Sequence, residues 1–276
     1  MRVFVLGAGK VGRALAKALR TAGAETTLRP ARSGLPKARI EADVIVLAVR
    51  DRELSSLAEK LAAARIVAPQ AVCVHVSGAF DAEPIATLRA VCKGVAQMHP
   101  MIAFASTKVA PSLDGGHVHV QGDPEAVKRA QRLAKMLGMT PRTFPRLDTI
   151  GYHAAAGLVA NGAAALAAVG AELLARAGVP RDVAPHLLGP LLRSVAENVE
   201  ALGFPDALTG PVRRGDAGAV EKHLAILRDK LPSAVPLYVA SAEAQLPLAR
   251  AIGDAPPYAF DAIAAFLAQA RPSARR

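Results

Sequence analysis

The stretch Gly7-Ala8-Gly9-Lys10-Val11-Gly12 constrains this chain more than any other. It stands directly after Val3–Leu6, an apolar run of the kind that a strand covered on both faces needs. It stands directly before Arg13–Ala22, where Leu15, Ala18 and Leu19 recur at helical spacing. A strand, a glycine turn and a helix in this order make the dinucleotide-binding fingerprint specific. Gly7 permits the tight turn, Gly9 lets the backbone approach a pyrophosphate, and Gly12 lets the helix pack close to the strand. The helix start offers unpaired N–H groups to the phosphates, so Gly7, Ala8, Gly9, Lys10, Val11 and Gly12 are expected to line a dinucleotide.

The alternation continues. Strands are expected at Glu25–Leu28, Asp43–Val49, Val72–Val76, Gly94–Met98, His117–Gln121 and Thr140–Phe144. Helices are expected at 51–64, with Asp51 as cap, at Pro84–Val91 and at Pro124–Leu137. From Asp148 onward the strand pattern stops. Helices are expected at Thr149–Ala177, Arg181–Ala201, Ala217–Leu231, Ser233–Ile252 and Ala259–Ala270, with residues 271–276 as a frayed tail. The fold class is therefore α/β: an N-terminal Rossmann doubly wound sheet over 1–147, then an all-α domain over 148–276.

Residues 29–33, at the end of the second expected strand, choose the cofactor. A site selective for NAD places a carboxylate there for the ribose hydroxyl. This chain has Arg29, Arg32 and Ser33 instead, with Lys37 and Arg39 nearby, which suits the 2′-phosphate of NADP. Val49 ends a strand beside the same cofactor. Ser77, Gly78 and His99 follow other strand ends, where ligands of open sheets bind, and are read as cofactor contacts.

The formal charge is +11, yet basic residues are spread along the whole chain and only seven Phe and three Tyr accompany them, so no nucleic-acid partner is expected. Ala154–Ala171 carries no charge, but it is mostly Ala and Gly and includes Asn161. It is read as a helix buried on most sides in a soluble domain, not a membrane span. Val3–Leu6 is too short for a secretion signal. Cys73 and Cys92 read as reduced core residues, so the protein is placed in the cytoplasm. The seven histidines show no metal-ligand spacing, and no metal is expected.

Three further motifs complete the pattern: Gln97-Met98-His99-Pro100-Met101, Tyr152-His153-Ala154-Ala155-Ala156, and residues 208–216, Leu-Thr-Gly-Pro-Val-Arg-Arg-Gly-Asp. With the opening glycines they resemble the Rossmann-like NADP-binding proteins whose C-terminal half is the domain of unknown function 2520. The resemblance implies a helical domain similar to those of β-hydroxyacid dehydrogenases and pyrroline-5-carboxylate reductases, and a homodimer formed through it. Many of the dehydrogenase relatives carry a catalytic Lys near the start of the long helix, with an Asn one turn on. Here that helix starts Tyr152-His153, and Asn161 lies eight residues, about 12 Å, further along.

His153 is the expected proton donor, a task that suits a side chain titrating near working pH. Asn161, Thr209 and Arg213 are expected to orient a small carbonyl or imine substrate with an acidic group in a cleft between the domains. Asp216 is expected to cap the following helix. The reading is an NADP-dependent oxidoreductase. The competing reading is an NADP-binding sensor without hydride transfer.

Overall fold

A computed structural model describes residues 1–271; the tail expected over 271–276 lies outside them after Arg271. The chain divides into two compact units, Met1–Ala160 and a second beginning at Asn161. The division falls inside a helix and not at 147/148. The first turns of that helix pack on the sheet unit, where Thr149 Oγ1 donates to the carbonyl of Ala79.

In the first unit the elements are β1 (Arg2–Leu6), α1 (Lys10–Thr21), β2 (Glu25–Arg29), β3 (Val44–Leu47), α2 (Leu54–Ala64), β4 (Val72–His75), β5 (Gly94–Pro100), β6 (His117–Gly122), α3 (Pro124–Met136) and β7 (Thr140–Arg142). The seven strands form one sheet in the order β2-β1-β3-β4-β5-β6-β7. β2 to β5 run parallel, β6 is antiparallel to β5, and β7 is parallel to β6. From β1 the chain passes to β2 on one side and β3 on the other, which makes this the switch point where ligands of such sheets bind.

Both faces are covered. Val3, Val5, Val44, Val46 and Val72 pack with Leu15 and Leu19 of α1 and Leu133 of α3. The opposite face buries Leu6, Ile45, Leu47 and Cys73 with Leu54 and Leu61 of α2. Each such leucine contributes about 2 kcal/mol by leaving water.

Several expectations are corrected. Asp51 does not cap α2: Asp51–Glu53 is a separate 3₁₀ turn, and no side chain caps the helix. The segment expected as a helix at Pro84–Val91 is a 3₁₀ run, Glu83–Ala90, with a kink at Ile85. β7 ends at Arg142, which frees Phe144 to fold back on the sheet.

The helix α4 (Thr149–Arg176) runs from the first unit into the second, which continues with α5 (Ala184–Leu202), α6 (Ala217–Lys230), α7 (Val235–Ile252) and α8 (Pro257–Ala270). The core of the second unit is Val220, Leu224, Leu227, Val239, Phe260, Ile263 and Leu267, from α6, α7 and α8. The expectation of a buried α4 is overturned: no residue of it is buried. α6, α7 and α8 close a core of their own, and only Val169 and Leu173 of α4 pack against it. α4 is long and apolar enough to cross a membrane by length and composition. α5 likewise buries only Ala184 and exposes Leu187, Leu191, Leu192, Val195, Val199 and Leu202.

Candidate functional site

The opening turn folds as its glycines require. Gly7 has φ of 120°, a backbone that side chains rarely adopt, and a Cβ there would overlap the carbonyl of Ala48, the residue after β3. A Cβ on Gly12 would overlap the carbonyl of Gly7. Gly9 differs: no protein atom lies within 4 Å of where its Cβ would stand. Gly9 is also the N-cap of α1, and no side chain caps the helix. The first N–H groups of α1 therefore face an open space with a partial positive charge behind them.

That space is a cavity of about 410 Å³, lined by Gly7, Ala8, Gly9, Arg13, Arg32, Val49 and Arg50, among others. Arg13 is fixed there by donating from Nε to the carbonyl of Ala8, 2.8 Å away. Arg32 makes no ion pair or hydrogen bond among the described residues and is exposed beside the cavity. A larger cavity of about 680 Å³ lies at the other end of the sheet, around Arg2, Asp43 and Arg129, away from the strand ends that bind ligands.

The guanidinium of Arg29 is turned away from the expected phosphate role. Its Nε donates to the carbonyl of Gly34 at 2.8 Å and its Nη2 to that of Ser33 at 2.9 Å. It braces the turn Ala31–Ser33 that presents Arg32 and the Ser33 hydroxyl. Arg39 pairs with Glu41 and lines the larger cavity instead. Lys10, Val11 and Gly12 form the helix start beneath the cavity.

A second cluster lies at the far ends of β4 and β5. Side chains alternate between the faces of a sheet. The face that buries Cys73 and Val95 therefore carries His75 and Gln97 next, and then His99. Across the antiparallel pair, Gln97 stands opposite Gln121 and His99 opposite His119. An apolar face thus becomes polar within one step along the strands.

Hydrogen bonds set the protonation of this face. His75 donates from Nε2 to the carbonyl of Asp81, which leaves Nδ1 to accept from the Ser77 N–H at 3.2 Å. Gln97 donates to the carbonyl of Ser77 at 2.9 Å. His99 donates from Nδ1 to the carbonyl of Val76 at 3.2 Å, so its Nε2 is an acceptor. Burial pushes His75, His99 and His119 below the ordinary imidazole range. For His99 the neighbouring His153 adds to the effect.

The start of α4 closes over this face. The rings of His99 and His153 are 5.7 Å apart at 75°, and Tyr152 touches both His99 and His119. A Cβ on Gly78 would lie 2.5 Å from His153 Nδ1 and 2.6 Å from His99 Nε2. Glycine at 78 is what allows two imidazoles to converge on one backbone atom. His119 stacks on Phe144, and both its ring nitrogens lack a partner; Gln97 Oε1 and Gln121 Nε2 lack one too. Among the described residues these are the only buried side-chain nitrogens and oxygens without a hydrogen bond.

An imidazole that folds neutral stabilises the protein above its unfolded titration, near pH 6.5, and loses that contribution as the pH falls toward its folded value. The thermal midpoint is expected to drop as the pH is taken below about 6.5. His119→Phe, which removes two partnerless nitrogens, is expected to flatten that fall. Equal slopes in the two proteins would show that His119 is not held neutral.

The second unit holds the remaining candidates. Arg213 donates from Nε to Asp254 at 2.7 Å and from Nη1 to the carbonyls of Asp206 and Leu208. It braces its own loop, which is a structural task that the sequence did not announce. Thr209 is exposed on that loop. Asp216 accepts from the Ala219 N–H at 2.9 Å and caps α6, as expected. Asn161 is exposed on α4, eight residues beyond His153.

Sequence families match the chain in two blocks. The Rossmann-like domain covers residues 24–100, and Domain of unknown function (DUF2520) covers residues 117–245. The chain joins a Rossmann-like domain to a DUF2520 domain. His75, Gln97 and His99 lie in the first block, and His119, Tyr152 and His153 in the second. No curated protein matches.

Among solved structures, a provisionally named NADP oxidoreductase from Bacteroides fragilis is 21% identical, with a TM-score of 0.67 over 89% of this chain and 98% of its own. A protein from Thermotoga maritima is 21% identical, with a TM-score of 0.65 over 90% and 98%. A pyrroline carboxylate reductase from Plasmodium falciparum, solved with NADP bound, is 15% identical, with a TM-score of 0.59 over 92% and 98%. These likenesses show that the chain shares their fold.

Proposed function

We propose that the protein is an NADP-dependent oxidoreductase that moves hydride between NADPH and a small carbonyl or imine. The observation that carries this reading is Gly9. Gly7 and Gly12 are explained by contacts within the protein, whereas the space beside Gly9 is vacant of protein and faces an uncapped helix start. A pyrophosphate fits that space and those N–H groups. Arg32 and the Ser33 hydroxyl would hold the 2′-phosphate, on a turn braced by Arg29. Arg13 and Arg50 add positive charge along the cavity wall. The Plasmodium reductase of the same fold was solved with NADP.

When bound, NADPH supplies the hydride. The chain supplies the proton: His153, exposed beside Gly78, is the donor to the oxygen or nitrogen that gains charge as the carbon is reduced. His99, fixed as an acceptor by Val76, orients that imidazole. The polar rows consist of His, Gln, Ser and Tyr with no Lys or Arg, and Arg213 is held by Asp254. An acidic group on the substrate thus gains little from these rows, and an uncharged carbonyl or imine suits them better.

The test is coenzyme choice with turnover. Arg32→Ala is expected to weaken NADPH binding about 10- to 100-fold, the loss of one or two charge-assisted hydrogen bonds, and to leave NADH binding unchanged. Equal loss for both coenzymes would remove the phosphate role. Tight NADPH binding without turnover on ketones, keto acids and cyclic imines would leave a coenzyme-binding sensor.

The same reading includes a homodimer through the helical domain. α4 has no buried residue, and α5 buries only Ala184 while it exposes six leucines and valines; apolar faces of this kind mark contact surfaces. Light scattering is expected to give twice the chain mass, and Leu191→Glu with Val195→Glu to give a monomer or an aggregate. A wild-type monomer at micromolar concentration would overturn it.

A further inference from the structure

Residues 101–116 connect β5 to β6 and contain no helix or strand. A connection longer than about 12 residues without secondary structure is uncommon in a packed domain, and it is commonly a binding loop or a lid. This one leaves the carboxyl end of β5, three strands from β1 in the sheet order and so about 14 Å away across the ladder. Even so, Thr107 lines the same cavity as Gly7, Ala8, Gly9 and Arg13. Beyond it, residues 110–114 line a groove of about 460 Å³ with Ala14, Lys17 and Ala18 of α1. The loop thus passes the mouth of the Gly9 cavity and continues along the helix whose start faces that cavity.

The two shoulders of the loop are anchored and its crown is not. Ile102 and Phe104 pack against the core of the sheet, and Leu113 is buried in it. The Met101 N–H donates to the carbonyl of His117 at 2.9 Å, and the Gly116 N–H to that of Leu113 at 3.0 Å. Between the shoulders, Thr107, Lys108, Val109 and Ala110 are all exposed, Val109 by 73%. The Lys108 N–H donates to Ser106 Oγ at 3.0 Å, which turns the chain there. Among the described residues, neither the Thr107 hydroxyl nor the Lys108 ammonium has a hydrogen bond or an ion pair.

We propose that Thr107 and Lys108 are phosphate ligands carried on a strap: the Thr107 hydroxyl donates to a pyrophosphate oxygen of the coenzyme, and the Lys108 ammonium meets the outer side of the same charge. The proposal rests on the coenzyme reading above. Its chemistry follows from the cavity. The start of α1 and Arg13 meet the pyrophosphate from the protein side and leave its outer oxygens to water. A hydroxyl and an ammonium that arrive across the mouth supply the missing donors. They meet the pyrophosphate and not the 2′-phosphate, so NADPH and NADH gain alike. The strap holds a coenzyme of either kind, while Arg32 distinguishes between them.

The test uses the full chain with trypsin and with calorimetry. The peptide bond after Lys108 is exposed and of the kind that trypsin cuts, and fragment masses report cleavage there. Saturating NADPH is expected to slow that cut about tenfold, and saturating NADH as much. Thr107→Val changes an exposed side chain and is expected to leave the melting temperature where it was. It is expected to weaken NADPH and NADH alike by about tenfold. Lys108→Ala is expected to weaken both by about threefold at low salt and by less at high salt. A cut equally fast with and without coenzyme, wild-type affinity in Thr107→Val, or a loss confined to NADPH would overturn the strap, even with Gly9→Ala still weakening the coenzyme. If neither coenzyme bound the wild-type chain, the coenzyme reading itself would fall, and the strap with it.

Discussion

His153→Ala is expected to lower kcat for NADPH oxidation by about two to four orders of magnitude, with the affinity for NADPH unchanged. The reason is geometric. His153 is exposed at the start of α4, its Nδ1 aimed at Gly78 beside His99. The other histidines of the face are engaged or enclosed: His75 spends both nitrogens on Asp81 and Ser77, and His119 is stacked under Phe144. Only His153 has a ring open to a substrate and backed by a second imidazole. The removal of a side chain from the exposed start of a helix should leave the melting temperature within a degree or two, so a lost rate would report chemistry. Turnover undiminished in the variant would take His153 out of the reaction. His99→Gln is the companion: it should reduce kcat less, because it acts only by orienting its neighbour.

Two glycines three residues apart are expected to fail in opposite ways. Gly12→Ala sets a methyl against the carbonyl of Gly7, forces α1 from β1, and should cost several kcal/mol of stability. Gly9→Ala meets no protein atom, sits at φ of −74° where any residue is at ease, and should cost only a few tenths to 1 kcal/mol as a poorer helix cap. Yet Gly9→Ala is expected to weaken NADPH about 100-fold, since the methyl takes the pyrophosphate's place. Calorimetry and a melting curve on the two variants separate these effects. Normal NADPH affinity in Gly9→Ala would move the dinucleotide elsewhere and remove the basis of the proposed function.

The sheet was legible because each strand is a short apolar run ended by a turn, and that signal survives without any partner strand. The topology of β6 was not, since nothing in His117–Gly122 itself says that it pairs antiparallel to β5. The site was legible in part. Glycines and strand ends pointed to Gly9, Gly78 and His99. His75, Gln97, His119 and Gln121 were missed, although their signal was present: polar residues at every second position in strands otherwise apolar, as in His117-Val118-His119-Val120-Gln121. In a sheet covered on both faces, that alternation marks a polar patch inside. Arg29 and Arg213 misled for a common reason. Sequence reveals that a guanidinium is present, but not that backbone carbonyls of its own loop have already taken it. α4 was misread because its composition is that of a buried helix, whereas α6, α7 and α8 close a core of their own without it.

The turn Ala31–Ser33 contains no buried residue, and its shape is held by Arg29 from outside the core. On the proposed reading, the groups that meet the 2′-phosphate therefore sit on a detachable rim, mechanically independent of the packed interior. Under that reading, exchange of Arg32 and its neighbours on the rim is expected to change coenzyme preference at little cost in stability, because nothing in the packed interior leans on them.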